Sequence, residues 1–164
     1  MLERVGGLAA IRGEVIDDCA LARAVQRQGG RVWLGLSAAT RSVRGYGTWG
    51  ELGRMISRSA FAQLHHSIWL LMGTVLGLAL TYMVPPALAL AAHGPAAALG
   101  AGGWALMSIA YFPALRFYRR SPLWAPLLPA IAAFYLGATI YSAVGYWRGA
   151  GGMWKGRAQD GWGK

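Results

Sequence analysis

From Ser59 to Leu115 the chain carries no Asp, Glu, Lys or Arg, and a second uncharged run extends from Ser121 to Trp147. Arg116, Arg119 and Arg120 are the only charges between them. A helix packed on one side of a soluble core must still show water a polar face, and neither run has one. A helix that crosses the hydrocarbon of a bilayer needs about 20 apolar residues at about 1.5 Å rise each. Three segments satisfy that length, at about 67–92, 96–115 and 123–147. Their glycine, alanine and proline content suits lipid, where small residues let helix backbones approach closely. Gly73 and Gly77, one helical spacing apart, are expected to serve packing within the chain, with a dimer face as the alternative. Trp69, Trp104, Trp124, Tyr146 and Trp147 fall near segment ends, where amphipathic rings favour the headgroup layer. Trp104 fits that pattern least.

The pattern changes before the first span. Thr48 and Glu51 form a T-x-x-E capping box, which predicts a helix starting at Trp49. Along it Leu52, Met55, Ile56 and Ala60 share one face, and Glu51, Arg54, Arg58 and His65 another. An amphipathic helix with a basic face over 48–65, leading straight into a spanning segment, is expected to lie along the membrane surface. Further upstream, Asp17 and Asp18 precede CALARAVQRQ, which Gly29-Gly30 end. Acidic residues at its start and glycine at its stop both favour a helix. Val32, Leu34 and Leu36 then alternate as in a half-buried strand. The stretch from Ser37 to Gly47, with Arg41 and Arg44, reads as extended or looping. Residues 1–47 hold too little apolar material to bury a core alone.

Composition agrees with a membrane protein. The chain has 164 residues, 55% of them hydrophobic, and a mean hydropathy of +0.36. This length suits one domain, or a small soluble piece joined to a membrane piece. The net charge of +10 does not indicate nucleic acid, because of how it is distributed. Nine of the 16 Lys and Arg precede Ser59, and the others sit at segment ends. That is the pattern of cytoplasmic loops and of contact with anionic headgroups. The single cysteine, Cys19, excludes an internal disulfide and is expected to be a small buried residue. Charges throughout the first thirty residues leave no room for a cleavable signal, so the first span is expected to direct insertion.

Topology carries a conflict. With the Arg-rich N-terminal region cytoplasmic, three full crossings put the loop at His93 outside and Arg116 to Arg120 inside, as the positive-inside rule prefers. They also put the tail, with Arg148, Lys155, Arg157 and Lys164, on the outside, which the rule disfavours. The alternative is a re-entrant segment broken at Pro85-Pro86 or at Pro113.

Few residues carry chemistry. Asp17 and Asp18 are the only adjacent carboxylates. One is placed to act as a general base while its neighbour orients a ligand, or the two simply cap the helix. Arg54 and Arg58, one turn apart, suit a diphosphate leaving group or lipid headgroups. His65 and His66 lack partners at metal-ligand spacing, and His93 carries no signal. No phosphate-binding glycine loop, CxxC pair or Ser/His/Asp arrangement is present.

Taken together, IDDCALARAVQRQGGRVWLGLS, RMISRSAFAQLHHS, a multi-span region and YWRGAGGMWKGR resemble the C-terminal part of family 2 membrane glycosyltransferases. The likeness is to the hopene-associated branch and covers nearly the whole chain. It implies a bacterial inner-membrane protein, multi-pass, with its N-terminal region cytoplasmic. The expected fold is mostly α: about three transmembrane helices (66–147), an interfacial amphipathic helix (48–65), a partial remnant of a GT-A-like α/β domain (1–47) and a basic tail (148–164). In the family an acidic pair ends in the catalytic Asp, which lands on Asp17 and Asp18, with Asp18 as the base. A Gln-x-x-Arg-Trp element near the diphosphate has a counterpart only at Arg58. Met55 and Ser59 stand where Gln and Trp would be, which argues against processive polymerisation. The family's nucleotide-binding half, with its D-x-D motif for Mg or Mn, has no counterpart here. GGLAAIRGEV reads as the middle of such a domain.

The sequence therefore sets two expectations side by side. One is the acceptor-side and membrane half of an inverting glycosyltransferase, using a nucleotide-sugar and a lipid acceptor beside a separate N-terminal catalytic chain, and inactive by itself. The other is a small non-enzymatic membrane subunit that binds lipid or a partner protein. A transport role is disfavoured by the absence of intramembrane charge.

Overall fold

The computed structural model describes residues 2–11, 16–40, 43, 45–149, 153–154 and 157–158. Most of the expected tail, including Lys155 and Lys164, lies outside the described residues, as do Arg12, Arg41 and Arg44. The protein is mostly helical. Two short 3-10 turns, Glu3–Val5 and Leu8–Ile11, precede α1 (Asp17–Arg27). Then come α2 (Trp49–Gln63), α3 (Ile68–Leu78), a π-helical turn (Ala79–Met83), α4 (Val84–Ala91), α5 (Pro95–Phe117) and α6 (Leu128–Trp147). Among the described residues no strand exceeds a two-residue antiparallel pairing of Met153–Trp154 with Arg157–Ala158.

Three helices are long and apolar enough to cross a membrane: Ile68–Ala91, Pro95–Phe117 and Leu128–Trp147. The first is continuous through α3, the π turn and α4. Pro85 and Pro86 fall where the π turn passes into α4, and each removes one N–H from the continuous helix. The π turn immediately upstream absorbs the change in helix spacing. Pro113 sits inside α5 without ending it. Neither proline site is the break expected from the sequence. The chain breaks instead at 118–127, where Arg119 takes a left-handed φ of 52° and Pro122–Trp124 form a 3-10 turn.

α4 and α5 pack closely as a hairpin. A Cβ on Gly100 would lie 2.6 Å from the backbone nitrogen of Ala89, 2.7 Å from Leu88 Cβ and 2.7 Å from the Pro85 carbonyl oxygen. One on Gly103 would lie 3.3 Å from Pro85 Cβ. As numbering rises along α5 its neighbours fall along α4, so the pair is antiparallel. Gly73 and Gly77 play no such part. Both are exposed with nothing within 4 Å, which corrects the expectation of packing within the chain.

Hydroxyls inside the spans donate back to their own helix. Thr74 Oγ1 reaches the Leu70 carbonyl at 2.8 Å, Ser108 Oγ that of Trp104 at 2.9 Å, and Thr139 Oγ1 that of Tyr135 at 2.8 Å. Among the described residues no buried side-chain polar atom lacks a partner. That is a requirement in lipid, where water cannot substitute.

Two other expectations upstream are corrected. Residues 30–37 form no strand, and Trp33 and Leu34 are 87% and 96% exposed. A strand is stabilised by its neighbours across the sheet, and no neighbour is present among the described residues. Cys19 is exposed rather than buried, because α1 packs against the turn at 8–11 and buries none of its residues.

Candidate functional site

α2 starts as the sequence predicts, with a changed capping partner. The Thr48 hydroxyl accepts the Glu51 N–H at 3.2 Å, while Glu51 Oε2 accepts from Gly47 rather than from Thr48, at 2.9 Å. Two first-turn donors are satisfied either way. Leu52, Met55, Ile56 and Ala60 are half-buried and Glu51, Arg54 and His65 exposed, as the amphipathic pattern requires, but Arg58 of the expected polar face is half-buried as well. What covers the apolar face is α6. Trp49 meets Phe134 edge-on at 5.8 Å, and the Phe61 N–H donates to Ser142 Oγ at 3.2 Å. The two helices therefore run in the same direction.

Phe61, absent from the predicted apolar face, is its anchor. It is 1% exposed and packs in one cluster with Leu71, Ala143, Leu64, Val75 and Tyr146. Around its ring stand His66 at 5.3 Å, Tyr146 at 5.5 Å and Trp147 at 5.6 Å, all edge-to-face. His66 in turn stacks on Tyr146 at 4.2 Å. The turn between α2 and α3 aims the imidazole there. His65 and His66 adopt left-handed φ of 50° and 54°, a conformation in which histidine is enriched among non-glycine residues. Their N–H groups close the helix end on the carbonyls of Ala62 and Phe61.

Burial lowers the His66 pKa below 6.5, and the neighbouring His65 lowers it further. The unfolded chain then binds more protons than the folded one, so stability rises with pH through this window and falls on acidification. His66→Asn keeps a side chain that tolerates left-handed φ but cannot titrate. In detergent, wild type should be more stable than His66→Asn at about pH 7.5, and that lead should shrink towards about pH 5. A lead that is constant or grows with acid would mean that the cluster holds the imidazolium as well as the imidazole.

The residues singled out for chemistry are not gathered into one site. Asp17 and Asp18 are exposed at the start of α1. Asp17 Oδ1 accepts the Asp18 N–H at 3.0 Å, and Asp18 Oδ1 accepts the Cys19 N–H at 2.8 Å. Both carboxylates thus accept first-turn N–H groups, but the N-cap is Ile16 and neither Asp fills that position, contrary to the capping alternative. Arg54 is exposed and Arg58 half-buried on α2. Among the described residues α1 packs substantially with neither α2 nor the spanning helices. No group of three or more His, Cys, Asp or Glu that would suit a metal ion is found among them either.

Trp104 was the poorest fit to an aromatic belt, and the structure gives the reason. Its indole N–H donates to the Pro126 carbonyl at 3.0 Å, from the middle of α5. A tryptophan inside an apolar span needs a partner for that proton, which was the available signal. Comparison with protein-family models, with curated proteins and with solved structures finds no match for this chain.

Proposed function

We propose that this chain is the membrane and acceptor-side part of an inverting family 2-type glycosyltransferase, with residues 1–47 belonging to a GT-A-like domain. The observation that carries the reading is an order of elements. An acidic pair opens a helix, and a capped amphipathic helix bearing Arg54 and Arg58 follows and docks at the mouth of the membrane spans. The motifs IDDCALA and GGMWKGR support it by resemblance.

In this reading Asp18 takes the proton of a lipid hydroxyl as its oxygen bonds to the anomeric carbon. The bond from that carbon to the nucleotide diphosphate breaks, and Arg58, with Arg54, stabilises the departing charge. Asp17 orients the acceptor side. The basic helix keeps the reaction at the bilayer surface, within reach of an amphiphilic acceptor. The divalent cation such an enzyme uses would help neutralise the diphosphate. The described residues offer no cluster to hold it, so no step here runs through it.

Membranes containing the 164 residues alone should transfer no sugar from labelled nucleotide-sugars. Joined to a nucleotide-sugar-binding module on the N-terminal side, they should transfer it to a lipid acceptor. Asp18→Asn should then lower turnover by at least about 100-fold while leaving insertion unchanged, since the Asn side-chain oxygen can still accept the Cys19 N–H. Turnover by the short chain, or undiminished transfer by Asp18→Asn, would refute the assignment. One observation favours the non-enzymatic reading, a membrane subunit that binds lipid or a partner protein: both carboxylates already accept first-turn N–H groups of α1. On that reading Asp18→Asn changes nothing in any context.

A further inference from the structure

We infer that the chain crosses the bilayer twice rather than three times, that it turns back along α5 only around Ala125 and Pro126, and that the basic tail emerges on the face where the first span begins. This concerns the path through the membrane and holds whether or not the protein transfers sugar.

The two ends of the apolar region lie together. Leu71 and Val75, near the start of the first span, pack with Phe61, Ala143 and Tyr146. His66, just before that span, stacks on Tyr146 one residue before the end of α6. Three full crossings would put these ends on opposite faces, separated by about 30 Å of hydrocarbon.

The return path is visible in the break. The antiparallel α4–α5 hairpin carries the chain across and back, so Arg116, Arg119 and Arg120 regain the face of entry. The next residues do not stay there. Ser108 Oγ, in the middle of α5, donates to the Ala125 carbonyl at 3.3 Å, and Trp104 Nε1 to that of Pro126 at 3.0 Å. Around Ala125 and Pro126 the chain therefore doubles back along α5 to about half its length. α6 starts from that level and ends beside the start of α3. At about 1.5 Å per residue its 20 residues are long enough to cross, but both its ends are fixed elsewhere, so it runs obliquely.

Irregular backbone at membrane depth is tolerated only where protein satisfies it, and within 118–127 that holds at the turning point around Ala125, while the residues before it, Arg119 and Arg120 included, are exposed. Ala125 is buried. Pro122 and Pro126 have no N–H to satisfy. The carbonyls of Ser121 and Pro122 accept from Trp124 and Ala125, and that of Ala125 from Leu128 as well. With the end of α6 returned, Arg148 emerges on the face of the N-terminal region, where the positive-inside rule prefers the basic tail that follows it.

The test is cysteine labelling with a membrane-impermeant maleimide, in intact spheroplasts and in inverted vesicles. Native Cys19 reports the N-terminal side. In a Cys19→Ser background, Ser121→Cys, His93→Cys and a cysteine appended after Lys164 report the other points. Cys19, Ser121→Cys and the appended cysteine should label from one face, and His93→Cys from the other. An appended cysteine that labels from the His93→Cys face overturns the inference, and so does labelling of His93→Cys from the Cys19 face. Trypsin applied to each vesicle type tests the unmodified chain, should a variant fail to insert. It should cut the tail and the N-terminal region from the same face, and tail cleavage only from the opposite face is equally fatal.

Discussion

Gly100→Ala should drive α4 away from α5 and destabilise the protein in detergent by about 3 kcal/mol or more, the upper range for overpacking. The added methyl would meet the backbone nitrogen of Ala89 and the carbonyl oxygen of Pro85 at under 3 Å. Backbone atoms of a helix cannot swing aside as a side-chain tip can, so the helices themselves must move. The first of them cannot shift freely, because Pro85 and Pro86 fix its opening turn. Two neighbouring glycines make the experiment specific. Gly102 has nothing within 4 Å, so Gly102→Ala should be neutral or slightly stabilising, given the higher helix propensity of alanine. Gly103→Ala meets Pro85 Cβ at 3.3 Å and should fall between. Thermal unfolding followed by circular dichroism should rank the three accordingly. Equal effects at Gly100 and Gly102 would mean that the hairpin is not packed as described.

Phe61→Ala should cost about 3–5 kcal/mol, the range for deleting a buried aromatic ring. The ring is 1% exposed and three other rings are ranged edge-on around it, so its loss also removes pair terms of about 0.5–1.5 kcal/mol each within that total. The site cannot collapse easily, because α2, α3 and α6 all converge on it. Phe61→Leu should lose less, because it refills most of the volume. The structural consequence is release of α2 from α6, which trypsin cleavage after Arg54 or Arg58 would report. Wild-type cleavage rates in Phe61→Ala would show that the cluster is not what holds the two helices together.

The capping box, the amphipathic face of α2 and the spanning lengths were legible because each is local. A Thr three residues before a Glu, or an apolar run of bilayer length, needs no knowledge of the rest of the fold. The strand expected at Val32 to Leu36 failed for the opposite reason: alternation describes a face, but a ladder needs another strand. Gly73 and Gly77 look like Gly100 and Gly103 in sequence, since spacing says nothing about which helix approaches. Phe61 sits at the end of α2 where helical periodicity alone gives it no priority. Its burial depends on Ala143, far along the chain.

The uncharged runs by themselves determined that the chain holds three helices long and apolar enough to cross a membrane, because each run is of at least bilayer length and carries no charge. Thr48 likewise set the start of α2 through its own turn, whereas the third segment, expected from 123, becomes helix only at Leu128. Only the tertiary structure decided which faces meet, that the break lies at 118–127 rather than at a proline inside a helix, and that the two ends of the apolar region lie together. Those outcomes turn on contacts between residues distant in sequence, such as Trp104 with Pro126 and His66 with Tyr146, whose geometry no local pattern encodes.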